Sequence, residues 1–297
     1  MAGQEKIIDH LNDLYSEFEA SLNGLSGKPL HDLQRRSFDA LKQVQFPDRK
    51  HEDWKYTSVQ KLIAPPYQLA SKASAFSLKD IDGLDTHVIT IFNGKVLFKE
   101  IPSDLSQQGI RIIPVHESLE DTSWKTVFAK WILTENISAN RAFEFLNFTF
   151  QTTGFFLDIP KNVTVDKPVE IRILHDDESN SFSHPLYFVR CGSGSSLTLL
   201  ERFETNTNNE IPISESLINS VGYIHLDSNA SVKHLKWQDL PSGQNLVYKL
   251  FVTQYRDSRF ETFAFDHGGN LVRNNVEVEL EENNTYTSLQ AAYLASG

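Results

Sequence analysis

"GYIHLDSNASVKHLKW", residues 222–237, decides the fold once it is set beside "LFVTQYRDSRFETFAF" at 250–265 and "EVELEENNTYTSLQAAY" at 277–293. Each stretch is a strand-like run, a polar turn and a second strand-like run. The starts at 222, 250 and 277 are 28 and then 27 residues apart. An earlier copy, "YFVRCGSGSSLTLLERF", begins at 187, and the polar loop "ETNTNNEIPISES" at 204–216 absorbs its longer 35-residue spacing. A period of roughly 20 to 50 residues is the mark of stacked repeats. With strands and no helices inside the repeat, it predicts a β-helix, or β-solenoid, in which each coil buries its apolar side against its neighbours. An antiparallel sandwich or jelly roll also spaces strands at about ten residues. The constant length and internal order of the repeat favour the solenoid.

Upstream of Gly154 the grammar is different. Ile7, Ile8, Leu11, Leu14, Tyr15, Phe18 and Leu22 recur at helical spacing over residues 4–23, and Gly24 and Gly27 end the run. A second helix is expected over about 30–44 through Leu33, Phe38, Leu41 and Val44, before Pro47. Residues 64–86 read as a connector. "HVITIFNGKVLF", 87–98, reads as a hairpin turning at Asn93-Gly94. Residues 117–150 return to a helical pattern. The chain therefore divides into an N-terminal helical region with a small hairpin, 1–150, and a β-domain, 151–297.

Composition narrows the function classes. A net charge of -11 argues against unspecific nucleic-acid binding, which depends on Lys and Arg neutralising phosphates. One cysteine, Cys191, excludes an internal disulfide and a multi-cysteine metal centre built by this chain alone. The start "MAGQEKIIDHLNDLY" lacks a basic segment leading into an apolar run, and no window approaches the ~20 apolar residues of a membrane span. A cytoplasmic protein is expected.

Motifs for direct chemistry are weak. Cys191 in "FVRCGSGSS" has Arg190 beside it, but the glycines read better as the turn ending a strand. The same stretch lacks the Gly-Lys-Ser/Thr ending of a phosphate loop, and no Gly-x-Ser-x-Gly occurs. His225, His234 and His267 fall in strand-like segments without metal-ligand spacing. "DSNAS", 227–231, lacks the Gly and Glu of a calcium loop and reads as a turn. Glu277, Glu279 and Glu281 share one strand face, expected to be solvated.

Two stretches remain unexplained by elementary patterning. "RKHEDWKYT", 49–57, crowds Arg49, Lys50, Glu52, Asp53, Trp54, Lys55 and Tyr56 together. "LVRNNVEVEL", 271–280, interrupts an apolar strand with Arg273, Asn274 and Asn275, whose polar groups need partners if buried. A structural role is the first expectation for both, with partner contact the alternative.

"RKHEDWKYT" at 49–57, "GFFLDIPKNVTVDKPVEIRIL" at 154–174, "YRDSRFETFAFDHGGNLVRNNVEVEL" at 255–280 and "LQAAYLASG" at 289–297 resemble in order and spacing the SufB/SufD family of iron-sulfur cluster assembly proteins, and its SufD-like members in particular. The resemblance spans essentially the whole chain. It implies a right-handed parallel β-helix after a helical region, and a non-catalytic scaffold role. The implied partners are a SufB-like paralogue and a SufC-like ABC ATPase, with iron supply as the contribution. It further implies that this chain alone binds no cofactor, the cluster and a reduced flavin belonging to the whole complex. Family members continue past the position of "YLASG" into further strands, a histidine-containing segment facing the paralogue, and a helical part that docks the ATPase. A shortened chain with an exposed last coil is expected to self-associate near Leu289 to Leu294. A carbohydrate-active β-helix enzyme is the rival reading of the repeat, and such an enzyme normally carries a secretion signal and a basic cleft. A plain interaction module is the third.

Overall fold

A computed structural model of the chain describes residues 2–22, 27–44, 46–48, 50–57, 59–70, 81–97, 101–120, 138–176, 180–206 and 215–294. The protein is mostly β, with a helical N-terminal region. The helices are α1 (Ala2–Ser21), α2 (Pro29–Gln43), α3 (Val59–Ile63), α4 (Ser103–Gln107), α5 (Val115–Ser118) and α6 (Ala142–Phe150). Four strands belong to the N-terminal half: β1 (Gln68–Leu69), β2 (His87–Phe92), β3 (Lys95–Leu97) and β4 (Arg111–Pro114). Then come β5 (Phe155–Ile159), β6 (Val169–Asp176), β7 (Ser181–Ser183), β8 (Leu186–Cys191), β9 (Ser196–Asn206), β10 (Ser216–Leu226), β11 (Ser231–Leu240), β12 (Gln244–Gln254), β13 (Arg259–Gly268), β14 (Leu271–Leu280) and β15 (Tyr286–Leu294).

Strands from β8 onward are dealt alternately to two sheets. An eight-stranded sheet takes β8, β10, β12 and β14, and a seven-stranded sheet takes β9, β11, β13 and β15. Pairing among them is parallel throughout. The register follows the sequence repeat: Tyr187 lies beside Gly222, and Gly222 beside Leu250. Only the last copy slips, since Leu250 pairs with Val276 and Glu277 falls beside Phe251. Two antiparallel pairs make the sheets mixed. One is the hairpin β2–β3, whose Asn93 and Gly94 both have positive φ (49° and 77°) as a type I′ turn requires; the other is β4–β5.

The turns joining the first sheet to the second form a ladder of their own. Asn162, Gly194, Asn229, Asp257 and Asn284 occupy the left-handed region with φ between 59° and 69°, the conformation Asn, Asp and Gly tolerate best. The N–H groups of Asn162, Gly194 and Asn229 donate to carbonyls of Ser193, Ser228 and Arg256 at 2.9, 3.1 and 2.9 Å. Each turn thus hangs on the next one.

The main core lies between the sheets, where Ile171, Ile173, Leu199, Phe203, Ile224, Val232, Leu250 and Phe260 are sealed from solvent. Gly222 is required there: a Cβ would lie 2.2 Å from Cζ of Tyr187, whose ring crosses it. The helices pack on the outer face of the first sheet, through Leu14, Phe18, Phe38, Leu41, Phe143 and Phe150 against Phe182, Leu217 and Val247. Burial of each such side chain contributes about 1.5–3 kcal/mol. Of the helical pattern expected over 117–150, residues 121–137 lie outside the described residues, while α6 forms as expected and is buried along its whole length. No helix among the described residues is long and apolar enough to cross a membrane.

Candidate functional site

The two unexplained stretches meet on the outer face of the first sheet. "EDW" at 52–54 forms a 3-10 turn whose start is held by Asp48: its Oδ1 accepts from the Lys50 amide at 2.8 Å and from His51 Nδ1 at 3.1 Å. The Lys50 hydrogen bond, followed by His51, keeps the Asp48 carboxyl below the usual range. The turn aims Trp54 inward, where it stacks on Phe143 of α6 with ring centroids 5.1 Å apart. On the indole lies the Arg273 guanidinium of β14, 3.9 Å from the ring centroid. Burial lowers the Arg273 pKa, opposed by the nearby charge of Asp53. Asp53 itself accepts from Asn140 Nδ2 at 2.9 Å.

Strand alternation divides the Arg-Asn-Asn run between two environments. Arg273 and Asn275 face outward, and Asn275 Nδ2 donates to Glu277 Oε1 at 3.1 Å. Asn274 faces the space between the sheets and donates to Asp266 at 2.6 Å. From Glu277 a chain of charges runs under α6. Lys249 lies 3.1 Å from Glu277 and 3.8 Å from Glu144. Glu144 is buried, accepts from Arg141 Nε at 2.9 Å and from the Tyr223 hydroxyl at 2.9 Å. Burial of charge demands such pairing, and burial first, then Glu144, pushes the Tyr223 phenol well up.

Of the ten residues singled out in sequence, Trp54, Asp53 and Arg273 converge on one stack, and Asn275 joins the charge chain beside it. Asn274 is turned to the other side of its sheet. Lys50, Glu52 and Lys55 are exposed on the rim, and Tyr56 projects into solvent at 92% exposure with Lys55 Nζ 5.5 Å from its ring. Arg49 lies outside the described residues. Sequence reading missed Phe143, Arg141, Glu144 and Lys249. A signal was present in α6, "AFEFLNFTF", where Glu144, Asn147 and Thr149 are the polar residues of an otherwise apolar helix. Asn147 Nδ2 donates to the carbonyls of Pro185 and Asn219 at 2.8 and 2.7 Å.

The remaining candidates take separate structural places. Cys191 is buried, and burial pushes its thiol up to about 12, the setting of an inert cysteine. His225 binds Asp227 at 3.0 Å, His267 binds Asp239 at 2.9 Å and His234 binds Glu201 at 2.8 Å. Among the described residues, no three His, Cys, Asp or Glu side chains gather as metal ligands would. The junction offers an exposed aromatic and mixed charges on a rigid stacked base.

Comparison with known proteins agrees in outline. A family described as "SufBD protein N-terminal region" matches residues 5–171, and one described as "SUF system FeS cluster assembly, SufBD core domain" matches 173–297. An iron-sulfur cluster assembly SufBD family protein of Synechocystis sp. is 21% identical over 298 residues, covering 94% of this chain and 63% of the relative. Protein ABCI7, chloroplastic, of Arabidopsis thaliana is 23% identical over 306 residues, covering 94% and 58%. The chain spans about three-fifths of the length of these relatives.

Proposed function

Because the chain belongs to the SufB/SufD family of iron-sulfur cluster assembly proteins, we propose that it is a SufD-like scaffold subunit of that machinery. In this role it pairs with a SufB-like paralogue and a SufC-like ABC ATPase and supports iron supply without catalysing a reaction. The observation that carries the reading is the match of both family regions, head to tail, over residues 5–171 and 173–297. Parallel registers that return every 26 to 28 residues, from Leu250 to Val276 and from Ser231 to Arg259, support reading the two sheets as walls of one right-handed β-helix. The end of α6 at Phe150 and the start of β5 at Phe155 support a boundary near residue 150, with β1 to β4 contributed to the sheets by the helical region.

The Trp54–Arg273 junction, with Tyr56 at its rim, is in this reading a structural clamp that presents a partner surface. Iron and sulfide are cargo of the assembled complex, as is any flavin, and the site of action is the cytosol. The test is affinity purification of the tagged, full-length protein from its own host, with mass spectrometry of what accompanies it. Recovery of an ABC-type ATPase and a SufB-like paralogue in similar amounts is expected. Recovery of the protein alone, under conditions that preserve complexes, overturns the scaffold reading.

A further inference from the structure

The second sheet inverts the usual distribution of polar and apolar side chains along β11. His234, Lys236 and Gln238 turn inward and are each 2% exposed or less, while Leu235 and Trp237 turn outward and are 41% and 43% exposed. Their outward neighbours on β13 are Phe263, 40% exposed, and the half-buried Phe265. The parallel register sets Leu235 beside Phe263 and Trp237 beside Phe265. The rings of Trp237 and Phe265 meet edge-on with centroids 6.2 Å apart. Leu200 of β9 extends the Leu235 row. Large apolar side chains gathered in one exposed patch mark a surface that another molecule covers.

Charges at the two ends of the patch select the covering molecule. At the strand starts Lys233 of β11 lies beside Glu261 of β13, and at the strand ends Asp239 lies beside His267, 2.9 Å away. The outward order along β11 is cation, apolar, apolar, anion, and along β13 it is anion, aromatic, aromatic, imidazole. Each order is complementary to its own reverse. A second copy, related by a two-fold axis running across the strands level with Lys236 and Ala264, lays each strand antiparallel over its own counterpart. Leu235 then meets Trp237 of the other copy, Phe263 meets Phe265, Lys233 meets Asp239 and Glu261 meets His267. A two-fold axis along the strands would instead stack Lys233 on Lys233 and Asp239 on Asp239, which like-charge repulsion opposes.

We propose that the outer face of the second sheet is the interface of a symmetric homodimer. Leu235, Trp237, Phe263 and Phe265 of two copies pack face to face, and Lys233 pairs with Asp239 at each end. Such a contact uses the same patch on both subunits, with the two sheets about 10 Å apart. It is separate from the Trp54–Arg273 junction, which lies on the first sheet, and from the last coil at Leu289 to Leu294.

Sedimentation velocity of the full 297-residue chain over a wide concentration range tests this, with circular dichroism to verify that each variant is folded. A monomer–dimer equilibrium is expected. Trp237→Glu should weaken the dimer by about thirtyfold or more, as loss of an interfacial aromatic anchor does. Lys233→Asp and Asp239→Lys should each weaken it. The two together should restore it, because exchanging both charges recreates the same pairs across the axis. A chain that stays monomeric at every concentration overturns the proposal. So does a dimer unaffected by Trp237→Glu, whose contact would lie elsewhere, the last coil included. Should Trp237→Glu not fold, the charge pair decides: a double variant no tighter than the single ones overturns the proposal.

Discussion

Trp54 and Arg273 are far apart in sequence and stack on one another, which makes them suited to a double-mutant cycle. Trp54→Ala removes a ring that is 5% exposed and leaves a void against Phe143, a loss of about 3–5 kcal/mol for a buried aromatic. Arg273→Ala removes a guanidinium that lies 3.9 Å from the same ring centroid. Cation–π contacts contribute about 0.5–1 kcal/mol when exposed and about 2 when desolvated. Arg273 is half-buried, with burial lowering its pKa, so a coupling of about 1 kcal/mol is expected. Urea unfolding followed by far-UV circular dichroism, with an unchanged m-value, reads all four corners of the cycle. The double variant should be about 1 kcal/mol more stable than the sum of the single losses implies. Additivity within about 0.3 kcal/mol would show that the stack carries no energy of its own and that the two motifs are merely adjacent.

Acid sensitivity comes from two other histidines. Burial holds His175 and His184 neutral, pulling them down to about 4 and about 3, with Asp176 opposing it at His175. A depressed histidine lets protons favour the unfolded chain, so stability is intact above pH 6.5 and is lost as pH falls toward 4; from pH 7 to 5 the loss is about 2 kcal/mol per imidazole. A urea midpoint that stays flat across that window would contradict the buried neutral pair. Gly222→Ala forces a methyl group into the Tyr187 ring, which is fully buried, and should lower stability by about 1–3 kcal/mol as core overpacking does. An unchanged denaturation midpoint would mean that the Tyr187 ring does not cross Gly222.

Much of the architecture was legible from local patterning because local rules produced it. The repeat starts at 187, 222 and 250 coincide with the strand register at Tyr187, Gly222 and Leu250. The hairpin at Asn93-Gly94 follows from the two positive φ angles that a tight turn imposes. Where local rules pull equally, reading failed: Glu144 and Asn147 sit in a largely apolar helix, and only Arg141, three residues before Glu144, is a partner near in the chain. Their other partners, among them Tyr223, Lys249 and Asn219, arrive from strands far along the chain.

What the sequence by itself determined is the alternation of strand, polar turn and strand, and the Asn, Asp and Gly residues that let each turn enter the left-handed region. The periods that encode these features run over a few neighbouring residues. Only the tertiary structure decided which polar residues face one another. Strands β5, β8, β10 and β12 of the first sheet are buried on both faces, so their alternation gives no inward side. The order of stacking, which brings Glu201 to His234 and Trp54 to Arg273, is set by packing between segments that share no local signal.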